Sequence, residues 1–204
     1  PYGDKYDTWF YSYNSDWTPK RIYRTTDGTE NGPLDREWIF AYDGNTITVT
    51  GKNEYTMTRN EQGYVTRLVE GSTTYDYAYD EEGHMIQASK NGEVVSNITI
   101  ENGDITKWSR FSNGAEQWKL HTYMPVENVG GCHAITAESI GASRWLIETH
   151  LFGVASKHLH ATNVWEGAEK SSTFTFDTDD KGRVTAEHKL YGESLEEYFY
   201  TYMD

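Results

Sequence analysis

From Glu54 to Met124 apolar and polar side chains alternate in short runs, broken by a turn about every ten residues. The breaks read Asn60-Glu61-Gln62-Gly63, Gly71-Ser72, Asp80-Glu81-Glu82-Gly83, Asn91-Gly92, Asn102-Gly103 and Asn113-Gly114. Gly63, Gly83 and Gly103 fall twenty residues apart, so the repeating unit is one β-hairpin. Between breaks the period is two. Tyr75, Tyr77 and Tyr79 share one face while Asp76, Ala78 and Asp80 share the other, and Tyr64, Thr66 and Leu68 oppose Val65, Arg67 and Val69. Asn-Gly suits two-residue hairpin turns because both central positions need positive φ, and Asp-x-x-Gly suits a type I turn closed by a left-handed glycine.

Strand-like segments continue on both sides. Residues 5–12, 20–26, 37–42 and 46–50 precede the meander, and 172–177, 183–190 and 195–202 follow it, the first two of these last three joined by Asp179-Asp180-Lys181-Gly182. The pattern therefore predicts an all-β fold, an antiparallel up-and-down meander of about fourteen strands. An open twisted sheet that wide curls, so the expected form is a barrel or half-barrel. Nothing in the composition divides residues 1–204 into separate domains.

Residues 125–170 break the alternation and form an irregular insert. Pro125 to His133 reads as loop. Ser143 fits as the cap of a helix running to Phe152, with Gly153 as its stop, and would place Trp145, Thr149 and Phe152 on one face. A strand over 144–151 is the competing reading. A helix there could plug the lumen that the strand count implies.

Charge and composition narrow the function classes. A net charge of −14 argues against nucleic acid or an anionic lipid surface as partner. The single cysteine, Cys132, excludes an internal disulfide and a multi-cysteine metal site; it adjoins His133, which could lower its pKa. No apolar run reaches the ~18 residues of a membrane helix. Strands 54–59 and 84–90 carry Glu, Thr, Arg, Gln and Lys on both faces, so no transmembrane span is expected. The start at Pro1 fits a chain whose leader has been removed.

The turns Tyr79-Asp80-Glu81-Glu82-Gly83-His84-Met85 and Phe176-Asp177-Thr178-Asp179-Asp180-Lys181-Gly182-Arg183-Val184-Thr185 resemble those of YD (Rhs-type) repeats. Over roughly residues 37–204 the chain resembles a family of secreted lipoproteins of unknown function from gut anaerobes, with a porin-like fold. That family joins a twenty-residue meander, an irregular insert and a last Phe-Asp-x-x-Gly-Arg-Val-Thr hairpin. Its insert motif is matched by Leu151-Phe152-Gly153-Val154-Ala155-Ser156-Lys157-His158-Leu159, with Val154 and Ala155 departing from the commoner form and His160 standing where a proline is frequent. The resemblance implies a barrel-like sheet and export to the periplasm, the outer membrane as a lipoprotein, or the cell surface, with a lipid anchor upstream of Pro1. It implies no activity and no site residues.

Candidate chemistry concentrates in the insert. His150, His158 and His160 cluster there, and His158 and His160 in a strand would point to one side, the start of a zinc site without a third ligand. Trp145 and Trp165 could stack on sugars or line an apolar pocket. These five residues are the candidate ligand-binding set. No catalytic motif, cofactor motif or complete metal set occurs. The expected function is a non-enzymatic binding module for a glycan or small ligand. The alternatives are a structural or protein-interaction module of the envelope, with an envelope protein as partner, and a hydrolase or metal-dependent enzyme.

Overall fold

A computed structural model describes residues 8–131 and 140–201. The reading of Cys132 and His133 falls outside the described residues. Fifteen strands follow one another in a single sheet. The first five are β1 (Trp9–Tyr13), β2 (Pro19–Thr25), β3 (Leu34–Asp43), β4 (Thr46–Gly51) and β5 (Tyr55–Arg59). The repeat supplies β6 (Val65–Glu70), β7 (Thr73–Tyr79), β8 (Met85–Lys90), β9 (Glu93–Glu101), β10 (Asp104–Ser112) and β11 (Ala115–Glu127). A one-turn helix, α1 (Arg144–Ile147), then precedes β12 (His158–Trp165), β13 (Ser172–Thr178), β14 (Val184–Tyr191) and β15 (Ser194–Phe199). Each strand pairs antiparallel with its chain neighbours, and β1 and β15 each pair with one strand only, so the sheet curls without closing.

The turn chemistry explains the two rims. Asn91-Gly92 and Asn113-Gly114 on one rim, and Asn102-Gly103 on the other beside the Asp-x-x-Gly turns, have positive φ at both residues, the mirror-image turn whose twist matches the flanking strands. On the Asp-x-x-Gly turns, the Asp80 carboxylate accepts from the backbone N–H groups of Glu82 at 3.0 Å and His84 at 2.8 Å. Asp179 repeats this with Lys181 and Arg183, and the Asn60 amide oxygen accepts from the Tyr64 N–H. The register shifts beside these turns at Thr58/Arg59 and Ala78/Tyr79. That bulge brings Val65 inward together with Leu68, where strict alternation puts them on opposite faces.

The strand missing from the expected fourteen is β12, which lies inside the segment read as insert. Pro125 and its neighbours likewise extend β11 to Glu127 rather than forming loop. Proline is tolerated because pairing to β12 is interrupted there, jumping from Tyr123↔His160 to Glu127↔His158. The helix reading of the insert holds for one turn. Ser143 stands at its N-cap without a side-chain bond, and the helix stops at Ile147 with Glu148 as its C-cap, before His150 at φ 60 and well short of the glycine expected to end it.

The insert fills the lumen. Ile140, Ala142, Trp145, Leu146, Ile147, Leu151 and Phe152 join the inward residues Trp38, Phe40, Met57, Leu68, Tyr77 and Trp108 in one cluster. Trp145 stacks on Trp38 with centroids 4.3 Å apart. The tyrosine stripe of β7 faces this plug, with the Tyr77 hydroxyl donating to the Ile140 carbonyl at 2.6 Å. The exit of the insert is stitched to the Asp-x-x-Gly rim, since the N–H groups of Val154 and Lys157 donate to Gly83 and Gly103. Under β10–β14 the interior turns polar, with Ser109, Lys119, His121, His160, Asn163, Ser172 and Glu187 all buried.

Candidate functional site

The opposite, Asn-Gly rim is open. There the ends of β7–β11 and residues Gly141, Ala142 and Ser143 of the insert enclose a groove of about 680 Å³. Tyr75, Val95 and Phe111 supply its apolar surface, and Lys90, Arg110 and Gln117 its polar groups. Each is positioned by a strand end: Tyr75 pairs with Lys90 across β7 and β8, and Arg110 with Gln117 across β10 and β11. Arg110 donates through Nε and Nη2 to Gln117 Oε1 at 2.9 and 2.7 Å, while its guanidinium lies 4.4 Å from the Trp165 ring centroid. Lys90 Nζ stands 5.8 Å from the centroid of Tyr75. Gly141 is required: at φ 73, a Cβ there would sit 2.4 Å from Tyr75 ring atoms.

In a chain of net charge −14 the described residues that line this groove include two cations and no carboxylate. Fixed donors beside an aromatic ring suit a ligand rich in hydroxyl or anionic oxygen acceptors.

The five sequence-predicted residues do not gather in one place. Trp145 is a core residue, wedged against Trp38 and edge-on to Tyr55. Trp165 touches the groove from behind, through Arg110, and also carries Lys119 Nζ 4.4 Å over its ring. His150 lines a second cavity of about 580 Å³ at the stitched rim, with Tyr64 and His84. His158 pairs through Nδ1 with Asp104 Oδ2 at 2.7 Å. His160 lies in the polar lumen instead, its Nε2 2.9 Å from Nδ1 of His121, and the pairing with β11 is interrupted between the two histidines, from Tyr123↔His160 to Glu127↔His158. Burial pushes the pKa of both His121 and His160 down, and neighbouring positive charge adds to it. Among the described residues no three His, Cys, Asp or Glu side chains gather to hold a metal ion.

Sequence reasoning missed Lys90, Arg110, Gln117 and His121. The face of Tyr75 was visible in the period of β7, but the cations are brought beside it only by the cross-strand register.

The fold has a solved counterpart. The chain is similar to a porin-like protein from Bacteroides uniformis. At 17% identity the TM-score is 0.72, over 92% of this chain and 86% of that one. No protein family and no curated protein matches the chain. The likeness shows the all-β, porin-like architecture. No helix among the described residues is long and apolar enough to cross a membrane.

Proposed function

We propose that this chain is an exported protein of the cell envelope that binds a glycan in the Asn-Gly rim groove without catalysing its conversion. The observation that carries this reading is the convergence of Tyr75, Lys90, Arg110 and Gln117 on one open groove of about 680 Å³. An aromatic face beside fixed donors matches a sugar ring, whose C–H face is apolar and whose edge is polar. A carboxylate-bearing sugar would meet Lys90 and Arg110 and suits the groove better than a neutral one. The outward faces of β4 and β5 carry Thr46, Thr48, Thr56 and Thr58, and the Arg67–Asp76 ion pair of β6 and β7 continues them. That surface favours water over the apolar belt of a lipid-facing strand. The exported, envelope-bound setting rests on the sequence resemblance and the porin-like fold.

Titration calorimetry with soluble neutral and uronic-acid oligosaccharides tests the proposal. Saturable binding that weakens about tenfold or more in Lys90→Ala and Arg110→Ala supports it. Absence of binding by every glycan, or affinity unchanged in both variants, sinks it.

A further inference from the structure

The Asp-x-x-Gly rim carries the second cavity, of about 580 Å³, and its chemistry is the reverse of the groove at the other end. His84 lies on its wall and is only 5% exposed. Asp80 fixes this residue twice. Its Oδ1 accepts the His84 backbone N–H at 2.8 Å, and its Oδ2 stands 3.1 Å from ring Nδ1. Facing a carboxylate, Nδ1 carries the proton, and the neutral ring then has its lone pair on Nε2. That Nε2 has no hydrogen-bond partner among the described residues, and unlike Nε2 of His121 it is not sealed in the interior. A buried acceptor left open to a cavity is a position for a donor on a ligand.

The other polar groups of the wall are mostly acceptors too. Among the described residues, Glu82 meets only His84 Nδ1, at 3.8 Å, and Glu127 pairs with no cation. Lys157, the one lysine or arginine among the described lining residues, is exposed and lays its stem over Gly103, with Cδ 3.6 Å from where a Cβ would stand. Gly131 leaves room for the His150 ring: at φ 66, a Cβ there would lie 2.9 Å from His150 Cε1. The apolar part of the wall is the Tyr64 ring, stacked 5.4 Å from that of Tyr79, together with Val154 and Ala155.

We propose that this cavity binds a primary amine that carries an aromatic or aliphatic body. An ammonium group has three N–H donors and a positive charge, which match Glu82, Glu127 and His84 Nε2, while the body meets Tyr64, Val154 and Ala155. An anion would meet two carboxylates against one lysine. A neutral alcohol of the same shape offers one donor and no charge. The volume is that of a small-molecule site. No described residue lines both this cavity and the rim groove, so neither proposal depends on the other.

Titration calorimetry of the whole chain with phenethylamine, phenethyl alcohol and phenylacetate tests this. The amine should saturate a single site, with the alcohol and the acid at least about tenfold weaker. Glu82→Gln combined with Glu127→Gln, both at exposed positions, should weaken the amine by at least about tenfold as well. Imidazole nitrogen spectra of isotope-labelled protein locate the site. The His84 Nε2 signal, assigned by its absence in His84→Gln, should move during the titration, while that of His188, on β14 and outside the cavity, stays fixed. No saturable binding of the amine, equal affinity for the alcohol, unchanged affinity in the double variant, or a His84 signal that does not move would overturn the inference.

Discussion

His160 lies between the rings of His121 and Phe174, with centroids 4.8 and 4.2 Å away, in an interior where His121 Nε2 has no hydrogen-bond partner among the described residues. In the sequence it belongs to the candidate ligand-binding set, its spacing from His158 offering the start of a zinc site without a third ligand; in the fold it is a buried neutral ring. Its pKa is pushed down to about 4, mainly by burial, and that of His121 is pushed down as well. The sign follows. The unfolded chain takes up protons as pH falls through about 6.5, while the folded chain resists, so both groups contribute fully above that pH and their contribution is lost as pH falls towards the folded values. Each histidine removes at most about 1.4 kcal/mol per pH unit in that window. Glu148 acts in the opposite direction, because burial raises it to about 7 despite Arg144 beside it. The diagnostic is therefore a difference. His121→Leu with His160→Phe, which empties the pair of polar atoms together, should lose less melting temperature between pH 7 and pH 4.5 than the parent. Thermal melts across that range check it, and parallel curves would refute it.

At the scale of elements, the insert is held where backbone meets backbone. Gly153 has φ 98, and a Cβ there would lie 2.6 Å from the Gly83 carbonyl oxygen and 2.9 Å from the Tyr79 ring. Gly153→Ala should cost about 2–3 kcal/mol, more than Gly114→Ala, where φ is 76 but nothing stands within 4 Å. Urea unfolding of the two variants measures the gap. The hairpins themselves were legible in the sequence, because Asn-Gly and Asp-x-x-Gly are local codes that each satisfy their own φ and hydrogen bonds. β12 was not, because polar lumen residues such as His160 and Asn163 occupy its inward face and erase the apolar alternation. The rim groove was half legible. Tyr75 belongs to a visible stripe, but Lys90, Arg110 and Gln117 become neighbours only through register, which bulges shift and no spacing along the chain records.

Over the whole molecule, the short helix ties the beginning of the sheet to its end. Trp145 packs on Trp38 of β3, and Arg144, one residue away, reaches Glu187 of β14, Tyr198 of β15 and Tyr200. The sheet alone joins these ends poorly, because β12 and β13 share only the pairs Thr162↔Thr173 and Asn163↔Ser172. The last three strands are consequently a subunit of the fold clamped from inside. Arg144→Met keeps length and packing but leaves Glu187 buried without its cation, a loss of about 3–5 kcal/mol for a broken interior pair. If the clamp operates as the contacts indicate, hydrogen exchange will accelerate in β13–β15 while β5–β8, held by the apolar plug, keep their protection. A uniform rise across all strands would instead mean that the helix stabilises the sheet as one block, and that the two-pair junction at β12–β13 transmits more than its hydrogen bonds suggest.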